Sequence, residues 1–172
     1  MKKKNENKGF TLVELIVVLV ILAILAAILV PALLGYIDRA RSQQTVLNAK
    51  SCLTAAQAEL SSIYGKNSDQ MTQADKTRIQ TTADVPVYNL TIYVGKSSTN
   101  KHAAYTVYRV EYKQDANADP IYFDGEAWVE SKATDFTTKK ASENVDSFTE
   151  VAIWENGAVK SGAVDLKGTT TP

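Results

Sequence analysis

Lys8-Gly9-Phe10-Thr11-Leu12-Val13-Glu14-Leu15 opens an apolar run that continues, interrupted only by Pro31, to Leu34. Leu15 to Leu34 is twenty residues, enough helix to cross a hydrocarbon core about 30 Å thick. In lipid a chain must satisfy its own backbone hydrogen bonds, so the segment reads as a transmembrane helix. A carboxylate at its head is costly, by about 2.5–3.5 kcal/mol when such a group lies at the bilayer centre. The working state of the protein should therefore make use of Glu14; the plain alternative is a signal anchor whose Glu14 snorkels to the interface. Lys2, Lys3, Lys4 and Lys8 precede the run with only Glu6 against them. They should stay cytoplasmic and leave the rest of the chain facing outward, although Arg39 and Arg41 beyond the far end oppose this.

The 172 residues carry 19 basic and 19 acidic side chains, room for one folded domain plus extras. Without the first nine residues, 15 basic face 18 acidic side chains, a formal −3. Nothing there forms the basic stripe of a nucleic-acid binder, and no nucleic-acid partner is expected. Cys52 is the single cysteine, so no internal disulfide can form, and the fold must hold by packing unless Cys52 pairs with another chain.

An ordinary secretory signal would be cut at a small-residue site after its apolar core. Ala26-Ala27 and Ala32 are small, but helical pattern continues past them without a polar cleavage region. The octet Lys8 to Leu15, followed by a long apolar helix, instead resembles the class III signal of the type IV pilin superfamily, a resemblance that reaches only to Gly35. It implies that a prepilin peptidase cuts between Gly9 and Phe10 on the cytoplasmic side and methylates the new terminus, making Phe10 an N-methylphenylalanine. It also implies that Glu14 of an incoming subunit neutralises the terminal amine of a neighbour during filament assembly. Breaking such a desolvated pair strands a charge at about 3–5 kcal/mol, so the pair fixes register more surely than it adds stability. Pro31 matches the family's helix-kinking proline. It removes one donor and clashes with the carbonyl of residue 27, so a kink or local melting is expected around Ala27–Pro31, with Gly35 a second soft point.

Beyond the apolar run, Val46, Leu53 and Leu60 recur at sevens, as do Ala49, Ala56 and Ile63, forming one apolar stripe. Gly65 offers a C-cap. The expected organisation is a leader over 1–9, one helix over 10–64 and a β-sheet head over 65–172. That helix would be roughly 80 Å long, with residues 10–35 transmembrane. The fold class is α+β, with the amphipathic half of the helix packed against an antiparallel sheet. Gly65 to Ala83 forms the connection, with Asp69 capping a short helix through Ile79. Period-two alternation starts at Val85 and groups Tyr88, Leu90, Ile92 and Val94, then Thr106, Tyr108, Val110 and Tyr112 against Arg109 and Glu111. Further strands fit Ile121–Phe123, Ala127–Glu130, Phe148–Trp154 and Ala158–Val164, joined as a meander. Asp124-Gly125 and Asn156-Gly157 are two-residue hairpin signals. Ser131 to Asp146 reads as a polar surface excursion, and Lys167–Pro172 as a frayed end. Cys52, beside the stripe, reads as a small buried or half-buried side chain and not as a reactive thiol.

Little catalytic chemistry is visible in the head. Val94-Gly95-Lys96-Ser97 has Leu90 where a phosphate-binding loop needs its first glycine. Asp115, Asn117 and Asp119, with Glu126 further on, have the spacing of calcium-loop ligands, but Pro120 stands where the turn needs glycine, and an Asx-rich turn is the plain reading. His102 is the only histidine and has no second ligand for zinc or cysteine for a nucleophilic pair. Asn89-Leu90-Thr91 fits a glycosylation acceptor, and the strand tyrosines read mainly as sheet packing.

The resemblance therefore implies a structural subunit, not an enzyme, with no cofactor. It implies a single-pass precursor in the cytoplasmic membrane, then an extracellular type IV pilus serving adhesion, twitching motility or surface attachment. Its partners would be copies of itself in a helical homopolymer, the peptidase and N-methyltransferase, and an assembly platform with its ATPase. The alternatives are a pseudopilin of a type II secretion or competence system, or a minor pilin with a ligand- or DNA-binding head. Many diderm pilins close the head with a disulfide, so its absence leans toward a Gram-positive source.

Overall fold

The computed structural model describes residues 9–138, 140 and 142–167. The leader lysines and the tail beyond Lys167 lie outside the described residues. The first helix, α1, spans Leu12–Gly65 and is helical through Pro31, including the Ala27–Pro31 turn. The chain divides into two compact units, residues 1–43 and 44–172. In the first, every described residue is exposed, and an 18-residue window of α1 reaches a mean hydropathy of 3.3. The helix is apolar on all sides there, as a helix facing hydrocarbon must be.

In the second unit α1 is apolar along one stripe. Ala49, Cys52, Ala56 and Leu60 are fully buried and share a core with Leu90, Ile92, Val94, Val110, Tyr112, Val151 and Ile153 of the sheet. Cys52 thus lies within the stripe, whereas Val46 and Leu53 are only partly buried at its margin. Small side chains at the centre let helix and sheet backbones approach closely. Burial pushes the Cys52 thiol up to about 12, which leaves it unreactive. The helix ends in a Schellman motif: the Ser68 N–H donates to the Ile63 carbonyl and the Asn67 N–H to that of Tyr64. Asn67, at φ 55°, takes the left-handed position expected of Gly65, because asparagine tolerates that region and Gly65 remains helical.

A short strand, β1 (Gln70–Met71), leads into α2 (Gln73–Ala83). Thr72, not Asp69, caps α2: its hydroxyl accepts from the Asp75 N–H, while the Asp75 carboxylate accepts from the Thr72 N–H. Asp69 instead accepts from the Tyr105 hydroxyl at 2.7 Å and pairs with Lys167 at 2.5 Å.

The six-stranded antiparallel sheet is built from β2 (Asn89–Lys96), β3 (Val107–Lys113), β4 (Ile121–Phe123), β5 (Trp128–Val129), β6 (Ser147–Glu155) and β7 (Ala158–Val159). Their spatial order is β5-β4-β3-β2-β6-β7. The first four make the expected meander; β6 then returns to the free edge of β2, so the sheet is not one continuous meander. The predicted strand Ala158–Val164 is two pieces. After β7 the chain turns, Lys76 donates to the carbonyls of Lys160 and Gly162, and β8 (Val164–Asp165) pairs with β1 away from the main sheet. Asn156 and Gly157, with φ of 53° and 76°, make the predicted two-residue β6–β7 hairpin, the left-handed pair a primed turn requires. The β4–β5 loop has four residues, Asp124 to Ala127, because the Asp124 carboxylate accepts the N–H groups of Glu126 and Ala127 and widens the turn.

Alternation along β3 fails at Tyr108. Tyr93 faces Arg109 but Val94 faces Val107, so Tyr108 is the extra residue of a bulge. A bulge reverses the facing of everything beyond it, which puts Val107 in the α1-side core and leaves Tyr108 out of it. On the opposite face Tyr93 and Tyr122 are buried with Phe136, and Arg109 is only 1% exposed. Phe136 and Val145 belong to the stretch expected to be a surface excursion; both are buried, so this segment covers the sheet instead of leaving it. At Gly95 a Cβ would lie 2.6 Å from Val145 and 2.7 Å from the Tyr108 ring, so this approach needs glycine.

Candidate assembly site

Of the residues singled out at the N-terminus, Glu14 lies on the first turn of α1, and Gly9 and Phe10 precede that helix. Because the helix starts at Leu12, Thr11 is its N-cap and Glu14 its third residue. The Thr11 N–H donates to Glu14 Oε2 at 2.8 Å, the Thr11 hydroxyl donates to the same oxygen at 2.7 Å, and the Glu14 N–H reaches Thr11 Oγ1 at 3.3 Å. This is a reciprocal capping box, which satisfies donors that no helical carbonyl can reach. Glu14 is thereby oriented toward the start of the helix, where the macrodipole also favours negative charge. The spacing Thr-x-x-Glu carries this signal in the sequence, and reading Glu14 only as one half of an intermolecular pair passes over it.

Phe10 precedes the cap and is 84% exposed. Gly9, beside it, has nothing among the described residues within 4 Å of where a Cβ would be. Apolar side chains from Leu12 to Ile37 are likewise exposed.

The calcium candidates are not gathered. The Asp115 carboxylate accepts from the N–H groups of Asn117 and Ala118, both at 2.9 Å, closing its own turn. Glu126 pairs with Lys140 at 3.1 Å on the β4–β5 hairpin. Among the described residues no group of three or more His, Cys, Asp or Glu side chains is placed to hold a metal. His102 packs against the Tyr64 ring at 5.1 Å. Tyr93, Tyr105, Tyr112 and Tyr122 are buried, so four of the six tyrosines between residues 88 and 122 pack the sheet and its flanks.

Alternation also hid a buried ion pair in the head. Arg109 binds Glu143 through two N–H···O contacts of 2.5 and 3.0 Å, donates to the carbonyls of Tyr108 and Phe136, and lies 5.0 Å from the Phe148 ring centroid. Burial pushes the Glu143 carboxyl up, but the Arg109 hydrogen bonds, the Lys140 N–H and both cationic charges outweigh it and hold the group below the usual carboxylate range. Nearby, Lys132 pairs with Glu111 at 2.7 Å and caps the rings of Tyr93, Tyr122 and Phe136.

Residues 4–30 match the family model described as the prokaryotic N-terminal methylation motif, the class III signal peptide of type IV pilins. The match covers the capping box and most of the apolar run. No curated protein and no solved structure matches the chain. The motif and the α+β, pilin-like architecture together support a type IV pilin-like or pseudopilin precursor.

Proposed function

We propose that this chain is the precursor of a filament subunit, cut between Gly9 and Phe10, methylated at Phe10 and polymerised through α1 into an extracellular type IV pilus. The observation that carries the reading is the methylation motif set directly on a helix that is apolar on every side and wholly exposed over residues 12–37. Such a surface needs lipid first and other copies of the same helix afterwards. Exchange of lipid for helix gains little hydrophobic free energy, which fits assembly driven by a separate ATPase and leaves this chain no catalytic duty. The leader stays cytoplasmic and the head faces outward, and Pro31 gives the helix a place to bend within the polymer.

Mass spectrometry of filaments sheared from cells tests the processing step. A chain starting at N-methylated Phe10 is the expected result, and a mature terminus beyond Leu34 would contradict the reading. Abundance in those filaments separates a major pilin from a pseudopilin or minor pilin, which would be scarce there.

Glu14 is proposed to pair with the methylated amine of a neighbouring copy, the role left to its charge once the capping box has oriented it. Glu14→Ala and Glu14→Val should insert normally and yield no filaments. Glu14→Gln is the sharper variant, because glutamine keeps the capping hydrogen bonds and removes only the charge. We expect it to behave like the alanine variant. Normal filament yield from Glu14→Gln would show that capping, not charge pairing, is what assembly uses.

A further inference from the structure

The head also carries a recess whose charge is left open, and this feature does not depend on the filament reading. It has a volume of about 500 Å³ and lies between the end of β2 with its following loop, the start of β6 and the C-terminal stretch. That is the size range of pockets that take small ligands. Lys96, Lys101 and Lys167, from separate positions in the sequence, all line it.

Two of the lysines have acidic company. Lys167 is held by Asp69 at 2.5 Å. Lys96 shares the recess with Asp146, whose carboxylate accepts the Ser98 N–H at 2.7 Å and whose own N–H donates to the Lys96 carbonyl. Lys101 is different: its side chain makes no ion pair or hydrogen bond among the described residues, and neither do the hydroxyls of Ser98 and Ser147, which line the same recess. One uncompensated ammonium sharing a recess with unengaged hydroxyls suits a ligand that carries a single oxyanion and several hydroxyl groups.

We propose that this recess binds an acidic sugar residue, with the Lys101 ammonium taking its carboxylate and the hydroxyls of Ser98 and Ser147 taking its ring hydroxyls. A long polyanion fits less well. Residues 65–172 carry 12 basic against 15 acidic side chains, so charge repeated along a strand would meet net repulsion outside the recess.

The test uses the full chain in uncharged polyoxyethylene micelles and ligand-observed NMR, with glucuronate, glucose, inorganic phosphate and duplex DNA as separate probes. Glucuronate should bind with a dissociation constant on the order of 1 mM, and glucose at least about tenfold more weakly. Glucuronate binding should fall as salt is raised, because an exposed ion pair is screened. Lys101→Glu should abolish glucuronate binding and Lys101→Arg should retain it. Both are exposed substitutions, and an unchanged thermal unfolding midpoint verifies the fold. Equal binding of glucose and glucuronate, or full binding by Lys101→Glu, would overturn the proposal. So would phosphate binding without glucuronate, which marks a bare anion site, or DNA binding tighter than glucuronate.

Discussion

At the scale of single residues, the chain uses charge in two contrasting ways. Glu14 is satisfied locally by one threonine and held near a helix start, so its charge remains available to a second molecule. Arg109 is only 1% exposed and its charge is consumed inside the head by Glu143. Removing one member of a buried pair leaves the other uncompensated, so Glu143→Ala should destabilise the head by about 3–5 kcal/mol in urea unfolding. Replacing both, as Arg109→Met with Glu143→Gln, should cost much less, since no charge is then stranded. A double variant as unstable as the single one would contradict this. The sign of the pH dependence follows from the depressed Glu143 carboxyl. Its contribution is fully present above the unfolded value of about 4.3 and is lost as pH falls through the lower folded value. Acid unfolding of the head should therefore be less steep in Glu143→Gln than in the unsubstituted chain, and identical acid profiles would count against the assignment.

At the scale of elements, helix ends are set by a few polar side chains. Both helices start with a reciprocal capping box, Thr11 with Glu14 and Thr72 with Asp75. Thr72→Ala should cost about 0.5–2 kcal/mol and raise hydrogen exchange in the first turn of α2. Asp69→Ala should leave those amides protected, because Asp69 serves Tyr105 and Lys167 instead. The reverse pattern of exchange would restore Asp69 as the cap. Two other departures have local causes as well. The bulge at Tyr108 turns Val107 toward α1, and the Asp124 carboxylate lengthens a hairpin that its Asp-Gly pair alone would make tight. Side-chain hydrogen bonds and an extra backbone residue both override simple periodicity.

At the scale of the whole molecule, the second unit has its own core. Its buried α1 residues and the sheet complete one apolar cluster, and the segment over the opposite face closes another around Tyr93, Tyr122 and Phe136. A fragment of residues 44–172 should therefore be soluble and unfold in one cooperative thermal transition. A molten fragment that binds a hydrophobic dye would show that the first unit is needed for folding. The sequence by itself determined the apolar helix, the processing motif, the amphipathic stripe on Ala49, Ala56 and Leu60, the α+β class and most strand positions. These depend on local length, period and turn chemistry, which a chain carries in its order of residues. Tertiary structure alone decided that β6 returns beside β2, that β8 leaves the main sheet for β1, and that Arg109 is buried under the segment carrying Glu143. Arg109 and Glu143 are 34 positions apart, and a charge at a strand position looks solvent-facing until another part of the chain lies over it. Pairing between distant segments is settled by which surfaces can be covered together, and no local pattern encodes that.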